Sequence, residues 1–399
     1  MSYLYRWLQA IEGTLLKEAI KHSWEKMELK QRLILLVAAC FLYSGLLKCV
    51  CWWKECQGKH LIILNYHRAA EGDLRRHFLY LRRHYRIMPL EEALEELYTP
   101  HQKTQTPDLR IPLVLTFDGG YRDNYIYAFA LAQELQIPIT IFLMPGYIES
   151  GNCFWWRAGD HMVRHAQVDE VIIDGQCYRL IYQQEREALV RLIDTKARYA
   201  SSVAEREAFL TYIHDALAVS SSLTYEEKLA FPLTWDEVRA MEVSGWVSFG
   251  AHSMNHPVLA YLTDTEEARR EISECRKVLE QKLGHSVQVF AYPLGRDEHI
   301  GEQARGLVRE AGYKWGLTTI QGINTPDIKP YELRRIEANV KHHWFIMAAQ
   351  TAGVWQVFLS VYHQLSLSRN LRPFLRTNSW SVSESTKKGT KRKVGPFYT

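Results

Sequence analysis

Two histidines four residues apart, His252 and His256, follow the apolar stretch 245–251 and are closed by Pro257. On one helical turn, side chains at i and i+4 project the same way, so imidazoles at this spacing can grip one zinc-type ion at about 2.0–2.1 Å per bond. In isolation the same spacing also describes two ordinary histidines at a surface or a helix cap. Asp118 closes a second apolar stretch, 111–117, and is followed by Gly119 and Gly120. A carboxylate at a strand end, before pliable backbone, suits a general base; standing alone it equally suits a turn. An ion that acidifies water and a base that takes its proton are the parts metal-assisted hydrolysis needs. A third apolar stretch, 287–292, runs into Tyr292-Pro293-Leu294-Gly295.

Strands must present these residues. Runs of β-formers at 61–66 (LIILNY, ending before His67), 111–117, 137–143, 245–251, 287–292 and 315–319 are read as strands. Helical segments fall between them at 78–86, 90–98, 121–136, 235–243, 265–283 and 300–311. Thr234 is the expected N-cap of one; Asp264 or Thr263 caps another, with Gly284 just past its end. Alternating strand and helix predict parallel βα units, and in a barrel of such units the strand C-terminal ends build the site. Residues 150–232 carry amphipathic helical segments near 184–199 and 203–218 and read as a helical insertion.

The chain has 399 residues and 46.6 kDa, enough for one large domain with additions or for two ordinary ones. Its 47% hydrophobic and 24% charged residues exclude a mainly disordered chain, a collagen and a polytopic membrane protein. A net charge of +4 gives no reason to expect nucleic acid as a partner. Seven cysteines suggest no disulfide framework; Cys40, Cys49, Cys51 and Cys56 fit no standard zinc knuckle and read as free thiols. They crowd in or just after the apolar run 33–53, a borderline length for a membrane span, with Trp52 and Trp53 suited to a headgroup belt. The run reads as an anchor, a helix lying on the membrane or a docking helix. More lysine and arginine precede it than follow it, which favours a cytoplasmic N-terminus and an exported main domain. A cleavable signal is argued against by the long basic region ahead of the run. The expected organisation is an N-terminal helical or membrane-associated segment (1–58), a catalytic domain (59–345) and a helix followed by a disordered basic tail (346–399).

Taken in order, the three features resemble the NodB-like polysaccharide deacetylases, carbohydrate esterase family 4, over roughly residues 60–340. Thr116-Phe117-Asp118 is similar to the start of that family's T-F-D-D-G motif, and His252-Ser253 with His256-Pro257 to its H-S/T-x-x-H-P motif. Tyr292-Pro293-Leu294-Gly295 is similar to the variant third motif of the branch acting on poly-N-acetylglucosamine, as is Asn65-Tyr66-His67 to that branch's opening. The resemblance implies a distorted (β/α)7-type barrel within the α/β class. It also implies hydrolysis of N-acetyl groups on an amino-sugar polymer, assisted by a divalent, Zn2+-type ion. Asp118 would be the general base, and His252 and His256 the metal ligands. Tyr292, Pro293 and the N–H of Leu294 would form the oxyanion and substrate pocket.

The sequence departs from the pattern at Gly119, which stands where the family has a ligand aspartate and has no side chain to offer. Ala291 stands where the commoner third motif has arginine, and nothing clearly matches the late histidine motif, although His342 and His343 lie near its expected place. His67 and Asp123 are candidate additional ligands or acids; Asp123 suits equally well the cap of the helix that follows. Asp118 itself is a further candidate, as ligand or as combined base and acid. Two functions therefore stay open: an active deacetylase, and a glycan-binding member of the fold with a weakened site. Trp155 and Trp156 would stack on sugar rings or pack the insertion's core. The implied partner is a carbohydrate, with membrane contact through residues 33–53 and a place at the cell envelope or membrane, the cytoplasmic side left open.

Overall fold

A computed structural model describes residues 59–353, apart from 71, 100–107, 109, 221–222 and 342. The apolar run 33–53, Cys40, Cys49, Cys51 and Cys56, His342 and the basic tail lie outside the described residues.

Ten strands are described: β1 (Ile62–Tyr66), β2 (Arg86–Ile87), β3 (Pro112–Asp118), β4 (Ile139–Leu143), β5 (Glu170–Ile173), β6 (Gln176–Arg179), β7 (Val247–Ala251), β8 (Val289–Ala291), β9 (Trp315–Gln321) and β10 (Leu333–Glu337). Seven of them form a closed parallel barrel in the order β1-β10-β9-β8-β7-β4-β3, sealed by a five-residue register between β1 and β3. The two-residue β2 adds to β3 outside the ring. Strands β5 and β6 pair only with each other, antiparallel. β1 and β4 are buried at every position, which is why they read as unbroken apolar runs: both faces are covered.

The faces divide by the period-two rule. Ile62, Leu64 and Tyr66, with Leu113, Leu115 and Phe117, join one core with the surrounding helices. The alternate residues Leu61, Ile63, Val114, Phe142, Val289, Leu317 and Leu333 fill a second core shared with the helix Leu90–Tyr98. Phe142 needs Gly250 on the neighbouring strand, since a Cβ there would lie 2.3 Å from its ring.

The helices are α1 (Leu74–His84), α2 (Leu90–Tyr98), α3 (Ala130–Leu135), α4 (Pro145–Ser150), α5 (Trp155–Arg164), α6 (Gln183–Arg198), α7 (Val203–Ala216), α8 (Tyr225–Lys228), α9 (Trp235–Val243), α10 (Thr265–Leu283), α11 (Asp297–Ile300), α12 (Ala304–Glu310) and α13 (Trp344–Thr351). The expected caps are present: Thr234 forms a reciprocal capping box with Glu237, and Asp264 caps α10, which ends at Gly284 with φ 79°. The segment expected as one helix over 121–136 opens instead as a π-helix, Asn124–Phe129, and only then becomes α3. The segment 300–311 splits into α11 and α12, parted at Gly301 with φ 77°. Sequence reading passed over β10, the β5–β6 hairpin, and α4, α5 and α8. The insertion has its own core, in which Phe154, Trp155, Leu189, Ile193, Leu210 and Ile213 meet Tyr121, Met144 and Tyr147 from the barrel's loops. The helix expected ahead of the C-terminal tail is present as α13 and packs against the core beside α1, with Thr351 accepting the Tyr85 hydroxyl at 3.0 Å. No helix among the described residues is long and apolar enough to cross a membrane.

Candidate active site at the barrel mouth

Asn65 on β1, Thr116 and Asp118 on β3, and Arg335 and Glu337 on β10 continue the inward-facing rows beyond the apolar filling. A cavity of roughly 300 Å³ opens there; Asn65, His67, Asp118, His252, His256 and Leu294 are among its lining residues, with Arg335 and Glu337 beside them. The three sequence features thus meet at one place, and at the strand C-terminal ends where they were expected.

Asp118 is 2% exposed. Arg335 grips it with two bonds, Nη1 to Oδ1 at 2.7 Å and Nη2 to Oδ2 at 2.8 Å. Burial pushes the Asp118 carboxyl upward, but the charge of Arg335, the nearby His252 and the two hydrogen bonds outweigh it and hold the group well below the usual carboxylate range. It is therefore an ionised acceptor at neutral pH. Arg335 is itself fixed by donating Nε to the Thr318 carbonyl at 2.8 Å.

The histidine pair is not on a helical turn, as its spacing suggested. Both residues lie in the loop after β7, which reverses through left-handed backbone at Ser253 (φ 62°) and His256 (φ 52°). The loop still brings the rings together, with centroids 4.7 Å apart. Each bend is braced. Ser253 Oγ accepts the His256 N–H at 3.0 Å, and Glu271 of α10 accepts both the backbone N–H and the side-chain amide of Asn255 at 2.8 Å. The insertion supplies the rest. Trp155 Nε1 donates to the His256 carbonyl at 2.9 Å, and the buried Arg206 donates to the carbonyls of Asn255 (2.8 Å) and His256 (3.4 Å).

Both imidazoles are held neutral. Burial lowers the pKa of His252 against the opposing pull of Asp118; burial and then the neighbouring His252 push His256 well below its ordinary value. His252 Nδ1 lies 2.7 Å from the Ala291 carbonyl. A carbonyl only accepts, so the proton sits on Nδ1 and the Nε2 lone pair is left for another partner. His256 Nδ1 is buried without a hydrogen-bond partner.

The remaining expected residues divide. Leu294 lines the cavity in a left-handed conformation (φ 57°), and its N–H makes no hydrogen bond among the described residues. Tyr292 is buried and turned away, donating to the Tyr331 carbonyl at 3.2 Å, and neither it nor Pro293 lines the cavity. His67 is exposed and does line it. Asp123 does not: its carboxylate is committed to Arg68 at 2.5 Å and to the Ala70 N–H at 3.1 Å, and it makes no side-chain cap for the helix after it. His343 caps α13 through Nδ1 and is not in the cavity. Trp155 is core, whereas Trp156 reaches the cavity with its ring 4.5 Å from that of His256.

Two neutral imidazoles with unused lone pairs fit a divalent ion. Gly119 adds nothing to them, and both oxygens of Asp118 are engaged by Arg335. Asp118, His252 and His256 do not bring three ligand atoms within 4.8 Å of one another. One further oxygen is available in kind: Asn65 Oδ1 is buried, unpartnered and on a residue lining the cavity. Asn65 was quoted in the sequence only as part of a motif. Arg335 was missed altogether, because the strand that carries it, LRRIE, has the composition of a surface segment.

A family model described as polysaccharide deacetylase matches residues 106–316, just over half of the chain. YxkH of Bacillus subtilis strain 168, assigned to the polysaccharide deacetylases, is 25% identical over 107 residues, 27% of this chain and 37% of that protein. Among solved structures, the Streptococcus pyogenes deacetylase PplD in complex with acetate is 16% identical with a TM-score of 0.47, covering 73% of this chain and 98% of its own. IcaB from Ammonifex degensii is 17% identical with a TM-score of 0.45, covering 74% and 98%. With the family model spanning the Asp118 strand, the histidine loop and the third motif, the chain belongs to the polysaccharide deacetylase family.

Proposed function

We propose that this protein removes acetyl groups from N-acetylated amino sugars of a glycan. The observation that carries the reading is the meeting of Asp118, the His252–His256 pair and the free Leu294 N–H around one cavity. His252 and His256 would hold a divalent ion, of the Zn2+ type; when bound, such an ion lowers the pKa of water and polarises a carbonyl. Support for a metal is the family's general dependence on one and the two neutral imidazoles. Asp118, kept ionised and aimed by Arg335, accepts a proton from the attacking water. Asp118 also returns that proton to the leaving amine; the other lining groups able to carry one are His67 and Glu337. The Leu294 N–H steadies the oxygen that gains charge, a contribution of about 2.7–4 kcal/mol for a well-placed donor. Trp156 offers a flat apolar wall to a sugar ring. Placement at the cell envelope stays part of the proposal, resting on the apolar run 33–53 alone.

A second reading, a member of the fold that binds a glycan without cutting it, is favoured by Gly119 and by the full engagement of Asp118 with Arg335. One experiment separates them. Wild-type protein supplied with Zn2+ should release acetate from an N-acetylglucosamine oligomer, and Asp118→Asn should lower that rate by about 10²–10⁴-fold. Oligomer binding without acetate from the wild type would establish the second reading; equal rates for both proteins would remove Asp118 from the mechanism.

A further inference from the structure

A second pair of histidines at the same spacing lies outside the barrel mouth. His161 is in the last turn of α5, and His165 is the residue that ends that helix, its N–H bonded to the His161 carbonyl at 3.1 Å. Their rings are 4.8 Å apart. Facing them is Glu227 of α8. One of its oxygens, Oε2, is held by the capping box, accepting the Thr224 N–H at 2.9 Å and hydroxyl at 3.0 Å. The other, Oε1, lies 2.6 Å from His165 Nε2. Among the described residues, these three form the one group of three or more His, Cys, Asp or Glu whose ligand atoms all lie within 4.8 Å of one another.

We propose that His161, His165 and Glu227 form a second divalent-metal site, of Zn2+-type chemistry, separate from the barrel mouth. The donor set, two imidazoles and a carboxylate, is one that zinc accepts, with a fourth position for water. Bonds of about 2.0–2.1 Å in a tetrahedron place ligand atoms ~3.4 Å apart, so closing on an ion needs side-chain adjustment of roughly 1 Å. The cluster is half-buried, which limits competing water, and Oε2 anchored in the capping box pre-sets the carboxylate. The His161 imidazole makes no hydrogen bond among the described residues; it rests edge-on against Phe231, with ring centroids 5.8 Å apart. A hydrogen-bonded His165–Glu227 pair alone would give His161 no polar role.

The position gives the site a purpose. Helix α5 carries Trp155 and Trp156, which touch His256. Just after α8 the chain runs alongside the Asp118 loop: Asp123 and Arg122 donate to the carbonyls of Leu229 and Phe231, and Leu233 donates to Gly120. An ion here would pin α5, and with it the tryptophans, to the α8 end of the insertion, which backs that loop.

The site does not depend on the proposed reaction and is tested on the full chain without measuring catalysis. A His252→Ala/His256→Ala double variant, stripped with chelator and dialysed against Zn2+, should retain one equivalent by elemental analysis. Its Tm should rise with Zn2+ by on the order of 5 °C. Adding His161→Ala should abolish both effects. Should that variant not fold, Glu227→Gln, which can keep the cap hydrogen bonds but loses the charge, should weaken Zn2+ binding at least 10-fold. A double variant that binds no Zn2+, or whose Zn2+ survives His161→Ala or is unmoved by Glu227→Gln, overturns the proposal.

Discussion

Gly119 decides how the site differs from the family pattern, and its backbone explains why a simple repair is opposed. Its φ is 99°, a region that residues with a Cβ avoid, and a Cβ built there would lie 3.0 Å from the Tyr121 ring. Restoring the missing carboxylate by Gly119→Asp therefore adds a ligand and strain together. The variant should bind Zn2+ more tightly than the wild type while losing about 1–3 kcal/mol of stability, read by calorimetric titration and denaturant unfolding respectively. Unchanged affinity would mean that another group, with Asn65 Oδ1 the first to examine, already occupies that corner. Unchanged stability would mean that the loop relaxes on substitution. At this scale the sequence was informative about placement: Asp118, His252, His256 and Leu294 were all legible as candidates, and all four line one cavity. The use made of them was not. Nothing in the order of residues shows that both oxygens of Asp118 are taken, or that Asp123 belongs to Arg68.

The element that completes the site is β10, whose sequence hides it. Leu333, Arg335 and Glu337 face inward while two arginines and a glutamate dilute the β signal, so periodicity reasoning sees a polar stretch. Closure of β1 onto β3, with β10 on the other flank of β1, brings Arg335 to Asp118 over the end of β1. The pair is buried on both sides, so removing one partner strands a charge, at a cost of about 3–5 kcal/mol. Arg335→Met should lower unfolding stability by that amount and suppress acetate release with the aspartate still present. Arg335→Lys, which keeps charge but not the two-pronged grip, should recover part of the stability and less of the rate. If Arg335→Met unfolds like the wild type, the pair does not form in solution. The histidine loop teaches the same lesson in reverse. Its spacing was read as a helical turn, yet the loop achieves the convergence by two left-handed bends held by Glu271, Trp155 and Arg206, elements remote in sequence.

For the whole molecule, the buried and half-buried imidazoles contribute to the response to acid. Burial, followed by the nearby Arg76 and His77, lowers His343 to about 4, and His252 and His256 are lowered as well. Below about pH 6.5 the unfolded chain binds protons that these folded groups refuse, so each withdraws stability as pH falls from there towards its folded pKa. Asp194 acts oppositely over part of that window: burial raises it to about 6, so the folded form takes up its proton first and gains stability on acidification. His343 isolates the effect because it lies outside the cavity. His343→Asn, retaining an N-capping side chain on α13, should lose less Tm than the wild type between about pH 7 and about pH 5. Superimposable profiles would show that His343 titrates freely.

What the sequence determined alone was the alternation of strand and helix, the caps at Thr234, Asp264 and Gly284, and which residue types could do chemistry. These are written in local periodicity and local hydrogen bonding, which neighbours in the chain dictate. The tertiary structure decided which of those residues share a cavity, which charge neutralises which, and that an insertion braces the histidine loop. Those outcomes depend on barrel closure and on pairs such as Arg335 with Asp118, 217 residues apart, and no local pattern encodes a contact across that distance.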